Sequence, residues 1–292
     1  MAHKAGFVNI LGNPNVGKST LLNALMGEKI SSVTRKAQTT RHRIMGIMTG
    51  DDYQIVYSDT PGLLKPHYRL HKAMMNAALG AIEDADVILY LVEAGEKNPD
   101  LEVINKINES QVPVLLLFNK VDTAAEGVME ETKALWFPLF TKAEALPLSA
   151  LHGLNVRLVF DKILETLPEH EPYYPDDQIS DKPERFFVAE MIRERILLQY
   201  KDEVPYSVEL EVTSFKEDVD ITRIEVTIYV ARESQKAIIL GNKGTAIKNL
   251  GIESRKLIER FLETHVFLGL TVKVSKDWRD SEQALKQFGY ES

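Results

Sequence analysis

The sequence predicts two folded units, a mostly parallel α/β domain followed by a smaller α+β domain. The 292 residues suffice for two domains of ordinary size. Short apolar runs alternate with amphipathic stretches over residues 6–168, as in an α/β sheet. Residues 168–183 then hold four of the twelve prolines, which extend the backbone and resist packing. We therefore expect a first domain over residues 1–170, a linker over 171–183 and a second domain over 184–292.

Six apolar runs are expected to form the sheet of the first domain. They cover residues 7–11, 44–48, 54–57, 87–92, 112–118 and 145–148. The second and third runs flank Gly50-Asp51-Asp52, a turn signal typical of a hairpin. The expected sheet therefore has six strands, of which one is antiparallel to the others.

The second domain is expected to mix helices with a small sheet. The patterns predict a helix (184–200), two strands (207–215 and 223–230), a helix from Ser234, a glycine turn, a longer helix (245–263), a strand (270–275) and a short tail helix. The stripe Leu154, Leu158, Ile163 and Leu167, in the first domain, has near-helical spacing and is expected to be core.

Composition excludes several classes of protein. The net charge of -8 argues against nucleic-acid binding by the whole chain, but residues 232–279 hold ten Lys/Arg against five Asp/Glu. The absence of cysteine excludes disulfides and thiolate metal sites. The apolar runs are far shorter than the ~20 residues that span a bilayer, and the N-terminus does not resemble a secretory signal. We expect a cytoplasmic protein.

A phosphate-binding loop is predicted between the first strand and the first helix. Residues 12–19 fit the pattern G-x-x-x-x-G-K-[ST] in the context that this pattern requires. Its N–H groups and the helix dipole favour phosphate, Lys18 is expected to reach the β- and γ-phosphates, and Ser19 is expected to ligate Mg²⁺. The alternative is a plain glycine turn. The expected nucleotide contacts are Gly12, Asn13, Pro14, Asn15, Val16, Gly17, Lys18, Ser19 and Thr20.

Asp59-Thr60-Pro61-Gly62 follows the third strand, at the edge where open α/β sheets bind ligands. Asp59 is expected to hold Mg²⁺ through a water molecule. The N–H of Gly62 can approach a γ-phosphate because no side chain obstructs it. Out of this context the pattern D-x-x-G is an ordinary turn.

Asn119-Lys120-Val121-Asp122 follows the buried fifth strand and predicts selection of the base. A carboxylate at Asp122 can accept hydrogen bonds from N1–H and the exocyclic amine of guanine, which adenine does not offer. Lys120 can lie along the ring, and Asn119 can tie the element to the phosphate loop. Ser149-Ala150-Leu151 would offer the Ala150 N–H to the guanine carbonyl, although an ordinary loop is the alternative. The expected ligands are GTP and GDP.

These motifs, in this order, resemble the small GTP-binding domains over about residues 5–168. The resemblance implies a GTPase in which a threonine completes the Mg²⁺ shell, and Thr40 is preferred to Thr39 by similarity to relatives with a Thr-Thr-Arg segment. Many relatives have a catalytic glutamine where this chain has Leu63, so intrinsic hydrolysis is expected to be slow. Asn15 lies where some relatives bind a K⁺ ion. The residues expected to act in catalysis are Lys18, Thr40, Gly62 and Asn15.

Gly241-Asn242-Lys243-Gly244 lies between two predicted helices and resembles the G-x-x-G loop of a type II KH domain. Two glycines allow a tight turn at which backbone and Lys243 approach a phosphate chain, while an adjacent apolar groove receives about four bases. The alternative is a charged interaction domain. The expected RNA contacts are Lys236, Ile239, Gly241, Asn242, Lys243, Gly244, Lys248 and Arg255.

The two modules in this order resemble the Era GTPase family from end to end. The resemblance implies a monomeric GTP-controlled switch that binds the 3′ region of 16S ribosomal RNA and assists maturation of the 30S subunit. It also implies a loose association with the inner membrane. GTP is expected to order residues 28–43 and 59–80 and so to change how the RNA surface is presented.

The sequence is compatible with several alternatives. A P-loop kinase or ATPase would need an adenine site, which Asp122 opposes, and a scaffold that binds GTP without turnover is compatible with Leu63. His67 and His71 have a metal-chelating spacing, but a solvated helix face or a mobile switch is the favoured interpretation. Trp278 can stack on a base or cap the core.

Overall fold

The computed structural model describes residues 3–34, 36 and 38–290. It divides the chain into two compact units. The first holds the chain up to Lys65 together with Met74–Asp181, and the second holds Pro66–Ala73 and the chain from Lys182 onward.

The first unit contains a six-stranded sheet, as predicted. Its strands are β1 (Lys4–Gly12), β2 (Ile44–Gly50), β3 (Tyr53–Asp59), β4 (Val87–Glu93), β5 (Val114–Asn119) and β6 (Ala143–Pro147). The strand order is β2-β3-β1-β4-β5-β6. Only β2 is antiparallel to its neighbour, because the two-residue turn Asp51-Asp52 returns the chain directly into β3. The predicted hairpin is confirmed.

Helices follow the parallel strands. They are α1 (Lys18–Met26), α2 (Arg69–Glu83), α3 (Leu101–Ser110), α4 (Val128–Trp136) and α5 (Val156–Thr166). Strand β5 is buried along its whole length, and β4 is buried except at Glu93, as expected for central strands covered on both faces. Trp136, the last residue of α4, packs fully buried in the same core as Tyr90 and Phe118. No helix among the described residues combines the length and apolarity needed to cross a bilayer.

The carboxyl ends of the parallel strands collect the residues of interest at one sheet edge. Strands β1, β3, β4 and β5 end at Gly12, Asp59, Glu93 and Asn119, respectively. Parallel strands of an α/β sheet end on the same side, where ligands bind. The fold therefore brings together four segments that are far apart in the sequence.

The expected apolar stripe on α5 is wrong in its first half. Leu154 is 50% exposed and Leu158 is 41% exposed, whereas Ile163 and Leu167 are buried. Leu154 precedes the helix, and the buried face of α5 is formed by Val159, Phe160 and Ile163. Leu158 is rotated away from that face because successive helical residues differ by about 100°.

The proline-rich segment hydrogen-bonds to the sheet of the first unit. The buried side-chain carbonyl of Gln54 accepts from the N–H groups of Tyr173 (2.7 Å) and Tyr174 (2.9 Å). The N–H of Ile47 in β2 donates to the carbonyl of Ile179 at 2.9 Å. These bonds provide partners for backbone N–H and C=O groups that the irregular path of this proline-rich segment would otherwise leave without one.

The second unit is built on a three-stranded sheet of order β7-β8-β9. Its elements are α6 (Glu184–Gln199), β7 (Val208–Glu217), β8 (Thr222–Val230), α7 (Glu233–Leu240), α8 (Thr245–Leu262), β9 (Val266–Val274) and α9 (Glu282–Gln287). Strand β8 pairs antiparallel with β7 and parallel with β9. This is the predicted α+β order.

Strand β9 begins four residues earlier than predicted. Gly269 lies in its middle, opposite Glu225 of β8, and a Cβ at Gly269 would lie 1.9 Å from the Glu225 carboxylate. The glycine is therefore a strand residue that leaves room for a neighbouring side chain.

A buried ionic network joins α6 to β7 in the second unit. Arg193 donates to Glu190 at 2.9 Å and, through a second guanidinium nitrogen, to Glu209. Glu209 also accepts from the hydroxyl of Tyr290 at 2.6 Å. Burial alone would lower the pKa of Arg193, but Glu209 and Glu190 raise it well above its usual value. The guanidinium is therefore permanently charged.

Trp278 is fully buried and donates from its indole nitrogen to the carbonyl of Ser207 at 3.0 Å. Its ring packs edge-on against Phe288. Of the two alternatives left open by the sequence, the structure favours capping of the core.

We predict that Arg193→Met destabilises the second unit by about 3–5 kcal/mol, because Glu190 and Glu209 stay buried without their cation. Hydrogen exchange at α6 and β7 under native conditions measures the loss. Arg223→Met is the control, because it removes an exposed pair with Asp218 (3.3 Å) that contributes about 0–1 kcal/mol. Equal effects of the two substitutions would contradict the prediction.

Candidate nucleotide and nucleic-acid sites

The loop between β1 and α1 turns sharply at residues that tolerate unusual backbone angles. Gly12, Asn15 and Gly17 have φ values of 142°, 66° and 105°. A Cβ at Gly17 would lie 2.2 Å from the side-chain nitrogen of Asn119, so only glycine fits there. The Lys18 ammonium donates to the carbonyls of Gly12 (3.0 Å) and Asn13 (2.9 Å) and so folds back over the loop.

Desolvation lowers the pKa of Lys18 to about 8, although Asp59 and Glu96 act in the opposite direction. A buried ammonium is stabilised by a neighbouring anion. Binding of a phosphate chain beside Lys18 would therefore favour its charged form. This is the electrostatic arrangement expected of a phosphate-binding lysine.

Three side-chain oxygens converge at the end of β3. The Ser19 hydroxyl donates to the Asp59 carboxylate at 2.6 Å, and the Thr40 hydroxyl donates to the same oxygen at 3.1 Å. The Ser19 and Thr40 hydroxyls are themselves 3.1 Å apart. Thr39 points elsewhere, since its hydroxyl bonds to Thr34 at 2.7 Å. The structure thus brings Thr40, and not Thr39, to Asp59.

Two contributors to this cluster were missed at the sequence level. Ser31 is buried, and its hydroxyl donates to Asp59 at 2.7 Å. The side chain of Asn23, on α1, holds that segment in place by accepting from the N–H groups of Ile30 and Ser31, each at 2.9 Å. Neither belongs to a recognisable motif, so only their convergence in space reveals them.

Gly62 packs directly against the phosphate loop. A Cβ at Gly62 would lie 2.8 Å from the Cα of Pro14. The next residue, Leu63, is buried, and its N–H donates to the carbonyl of Gly12 at 3.1 Å. Its apolar side chain belongs to the hydrophobic core and has no group that can orient a water molecule.

Asn119 connects three elements of the site. It is buried, donates to the carbonyl of Val16 at 2.7 Å and accepts from the N–H of Ala150 at 2.9 Å. Ser149 is buried beside it, whereas Leu151 is exposed. The phosphate loop, the end of β5 and the loop after β6 are thereby held in one arrangement.

The Asp122 carboxylate follows the same strand end. A hydrogen bond from Ser149 lowers its pKa, with smaller contributions from its own backbone N–H, His152 and Lys120. The carboxylate is therefore an acceptor at neutral pH. Lys120 has a left-handed backbone (φ 64°) and donates to Glu93 at 2.6 Å.

A loop after β4 was not predicted to take part in the site. Glu93, at the end of β4, places its carboxylate beside Lys120, and Glu96, in the loop, places its carboxylate beside the Asn13 side chain. A cleft of about 320 Å³ lies between this loop and the phosphate loop and is lined by Pro14, Val16 and residues 93–96. Acidic residues at and after a strand end belong to no motif, so sequence reasoning had no signal with which to find them.

The second unit presents the predicted glycine turn between α7 and α8. Gly241, Lys243 and Gly244 have φ values of 70°, 49° and 78°. A Cβ at Gly241 would lie 2.5 Å from the Cβ of Ala246, so glycine allows the two helices to approach. Asn242 and Lys243 are exposed at the tip of the turn.

The basic residues expected to contact RNA lie mostly on the surface. Lys248 and Arg255 are exposed on α8, seven residues apart and hence on one face, and Lys236 is half-buried on α7. The expectation for Ile239 is wrong, because this side chain is fully buried in the core. Its neighbour Ile238 is 50% exposed instead.

The two histidines with a metal-chelating spacing lie around the start of α2. His67 lies before α2, and its backbone N–H donates to Nδ1 of the buried His71 at 3.4 Å. No group of three or more His, Asp or Glu side chains with metal-binding geometry occurs in the described part of the chain.

Comparison with known proteins agrees with the geometry of both units. A family model described as a 50S ribosome-binding GTPase matches residues 7–120, and a KH domain model matches residues 203–279. The chain is 46% identical to GTPase Era of Geotalea daltonii over 98% of each chain. It is 41% identical to GTPase Era of Clostridium beijerinckii, over 99% of this chain and 98% of that one.

Two solved structures match the chain with a TM-score of 0.92 and 37% identity, covering 99% of this chain and 100% of theirs. One is Era in complex with MgGDPNP and nucleotides 1506–1542 of 16S ribosomal RNA. The other is a single-residue variant of Aquifex aeolicus Era bound to GDP and AlF4⁻. The phosphate loop, the segment Asn119–Asp122 and the glycine turn thus occur in a chain that matches these proteins along nearly its entire length. The chain belongs to the GTPase Era family.

Proposed function

We propose that this GTPase binds the 3′ region of 16S ribosomal RNA through its KH domain and assists maturation of the 30S subunit. The observation that carries the proposal is the exposed turn at residues 241–244, beside the basic face of α8. A relative of 37% identity was solved with nucleotides 1506–1542 of 16S ribosomal RNA.

We assign GTP binding to residues 1–170, the linker to 171–183 and RNA binding to 184–292. The protein is proposed to be a cytoplasmic monomer, and the family resemblance alone suggests peripheral contact with the inner membrane.

Phosphate binding is assigned to the loop from Gly12 to Thr20. Its backbone N–H groups and the N-terminus of α1 face an anion favourably, and Lys18 supplies the positive charge. Gly62 can approach a γ-phosphate because no side chain separates it from Pro14. These groups stabilise charge that develops on the transferred phosphoryl group.

The cluster around Asp59 fits a hydrated Mg²⁺ ion. Ser19, Thr40 and Asp59 offer the hard oxygen ligands that Mg²⁺ prefers. The second carboxylate oxygen of Asp59 is buried without a hydrogen-bond partner in the described structure, which an ion or its water would satisfy. Mg²⁺ held by these residues would neutralise charge on the β- and γ-phosphates. Ser31 and Thr40 both hydrogen-bond to Asp59, so the chain at these two residues can respond to the nucleotide.

Base selection is assigned to Asp122, with Lys120 along the ring and the N–H of Ala150 toward the guanine carbonyl. We predict that Asp122→Asn weakens GTP binding by about 100-fold, since two hydrogen bonds to a charged acceptor are lost. Xanthosine triphosphate should gain relative to GTP, because an amide can donate to the carbonyl that replaces the guanine amine. Calorimetry with GTP, xanthosine triphosphate and ATP measures these changes.

Asp51→Asn is the matched control. Asp51 is exposed in the β2–β3 turn, at the opposite end of β3 from Asp59. Unchanged GTP affinity in Asp122→Asn, or wild-type binding of ATP equal to that of GTP, would contradict the assignment of the base site.

Hydrolysis needs a substitute for the missing glutamine, and we propose that Asn15 holds a K⁺ ion that stabilises charge on the phosphates. Asn15 is exposed in a left-handed conformation on the phosphate loop. We predict at least about tenfold faster GTP hydrolysis in K⁺ than in Na⁺ at equal ionic strength, because a cation at this position acts on the transition state.

Asn15→Ala should remove the difference between the two salts, whereas Asn249→Ala, an exposed position on α8, should retain it. Phosphate release under single-turnover conditions is the measurement. Equal rates of the wild-type protein in K⁺ and Na⁺ would refute the role of K⁺.

RNA binding is tested at the tip of the glycine turn. We predict that Lys243→Ala weakens binding of a 16S 3′-end RNA and lowers the slope of log K against log salt by about 0.7, as expected when one contact to a single-stranded phosphate is lost. Lys133→Ala, an exposed lysine on α4, is the control. Filter binding at several salt concentrations gives both quantities, and identical slopes for the two variants would argue against the proposed surface.

A further inference from the structure

The loop from Glu93 to Glu96 connects the two halves of the nucleotide site. The N–H of Ala94 donates to the carbonyl of Asn119 at 3.0 Å, and Asn119 begins the segment 119–122 that is assigned to the base. Glu96 accepts from the Asn13 side chain on the phosphate loop. The loop therefore contacts both the segment assigned to the base and the segment assigned to the phosphates.

Helix α4 holds this loop in place through two hydrogen bonds. The N–H of Gly95 donates to the buried hydroxyl of Thr132 at 2.8 Å, and the indole of Trp136 donates to the carbonyl of Glu96 at 2.8 Å. Thr132 and Trp136 are both buried. Glu93 is the last residue of β4 and directly precedes this fixed loop, so its carboxylate is suited to holding a flexible partner.

Lys120 is such a partner. Its side chain carries about 2 kcal/mol of rotamer entropy when it is unconstrained. Its ammonium lies 2.6 Å from the Glu93 carboxylate, and the side chains of Lys120 and Glu93 are 34% and 43% exposed. The contact restrains the end of the side chain, and the left-handed backbone of Lys120 (φ 64°) fixes its origin. These two restraints reduce the number of conformations open to the methylene chain between them.

We propose that Glu93 is a positioning residue for guanine-nucleotide binding, which acts by holding Lys120 in the conformation that covers the base. The inference rests on the proposed contact between Lys120 and the base. Restraining the lysine before the nucleotide arrives lowers the entropy that binding must overcome. Glu93 thus contributes to nucleotide retention without touching the nucleotide.

The test is dissociation of fluorescently labelled GDP from the full-length protein in Mg²⁺, followed by stopped flow. Glu93→Gln should release GDP about 2–5 times faster, the range expected for a partly exposed ion pair. The difference from wild type should shrink as salt rises, because exposed charges are screened. Glu144→Gln is the matched control, because it breaks a similar partly exposed pair with Lys162 (3.2 Å) at the start of β6. It should leave GDP release unchanged.

A double-mutant cycle separates positioning from a structural effect. Lys120→Met alone should speed GDP release, and Glu93→Gln should add nothing in that background, because residues that act through one another are not additive. The melting temperature of Glu93→Gln should also match that of the Glu144→Gln control.

The inference would be overturned, and the base contact left intact, if Glu93→Gln released GDP at the wild-type rate or if its effect added fully to that of Lys120→Met. If Lys120→Met released GDP at the wild-type rate, both the base contact and the inference would be overturned.

Discussion

The nucleotide site depends on one buried side chain, the amide of Asn119. Its nitrogen donates to Val16 in the phosphate loop and its oxygen accepts from Ala150 in the loop after β6. An amide has one donor end and one acceptor end, so no apolar or acidic residue can make both bonds. A Cβ at Gly17 would overlap this same side chain, which explains why the loop needs glycine there. This one side chain therefore links the phosphate loop directly to the segment Asn119–Asp122.

The charged groups around this frame have either polar or oppositely charged partners. Lys18 is desolvated beside carbonyl oxygens, while Asp59 gathers the hydroxyls of Ser19, Ser31 and Thr40. Glu93 performs the equivalent task for Lys120. A nucleotide with its metal ion would bring charges that complement both ends of the site. The side chain of Leu63 belongs to the hydrophobic core, and it has no group that could orient a water molecule.

The second unit meets a different demand, since it must keep its core rigid while exposing a turn to a charged ligand. Arg193 and its two glutamates connect α6 to β7, and Trp278 caps the strand start at Ser207. With the core held in this way, the exposed turn at residues 241–244 can project from two packed helices. Ile239 belongs to that core, which is why its neighbour Ile238 is the residue at the surface.

From the amino-acid sequence we could predict the succession of helices and strands, the hairpin at Asp51-Asp52 and the motifs of the phosphate loop, of residues 119–122 and of the glycine turn, because these depend on local backbone requirements and periodicity. Which side chains meet is set by the packing of the whole chain. Ser31, Asn23 and Glu93 reach the site through contacts between segments distant in sequence, and the exposure of Leu154 and Leu158 depends on where α5 begins and which face it buries. Local patterns report the conformation of a segment, whereas burial and side-chain partners are properties of the packed chain, and so a pattern could not assign them.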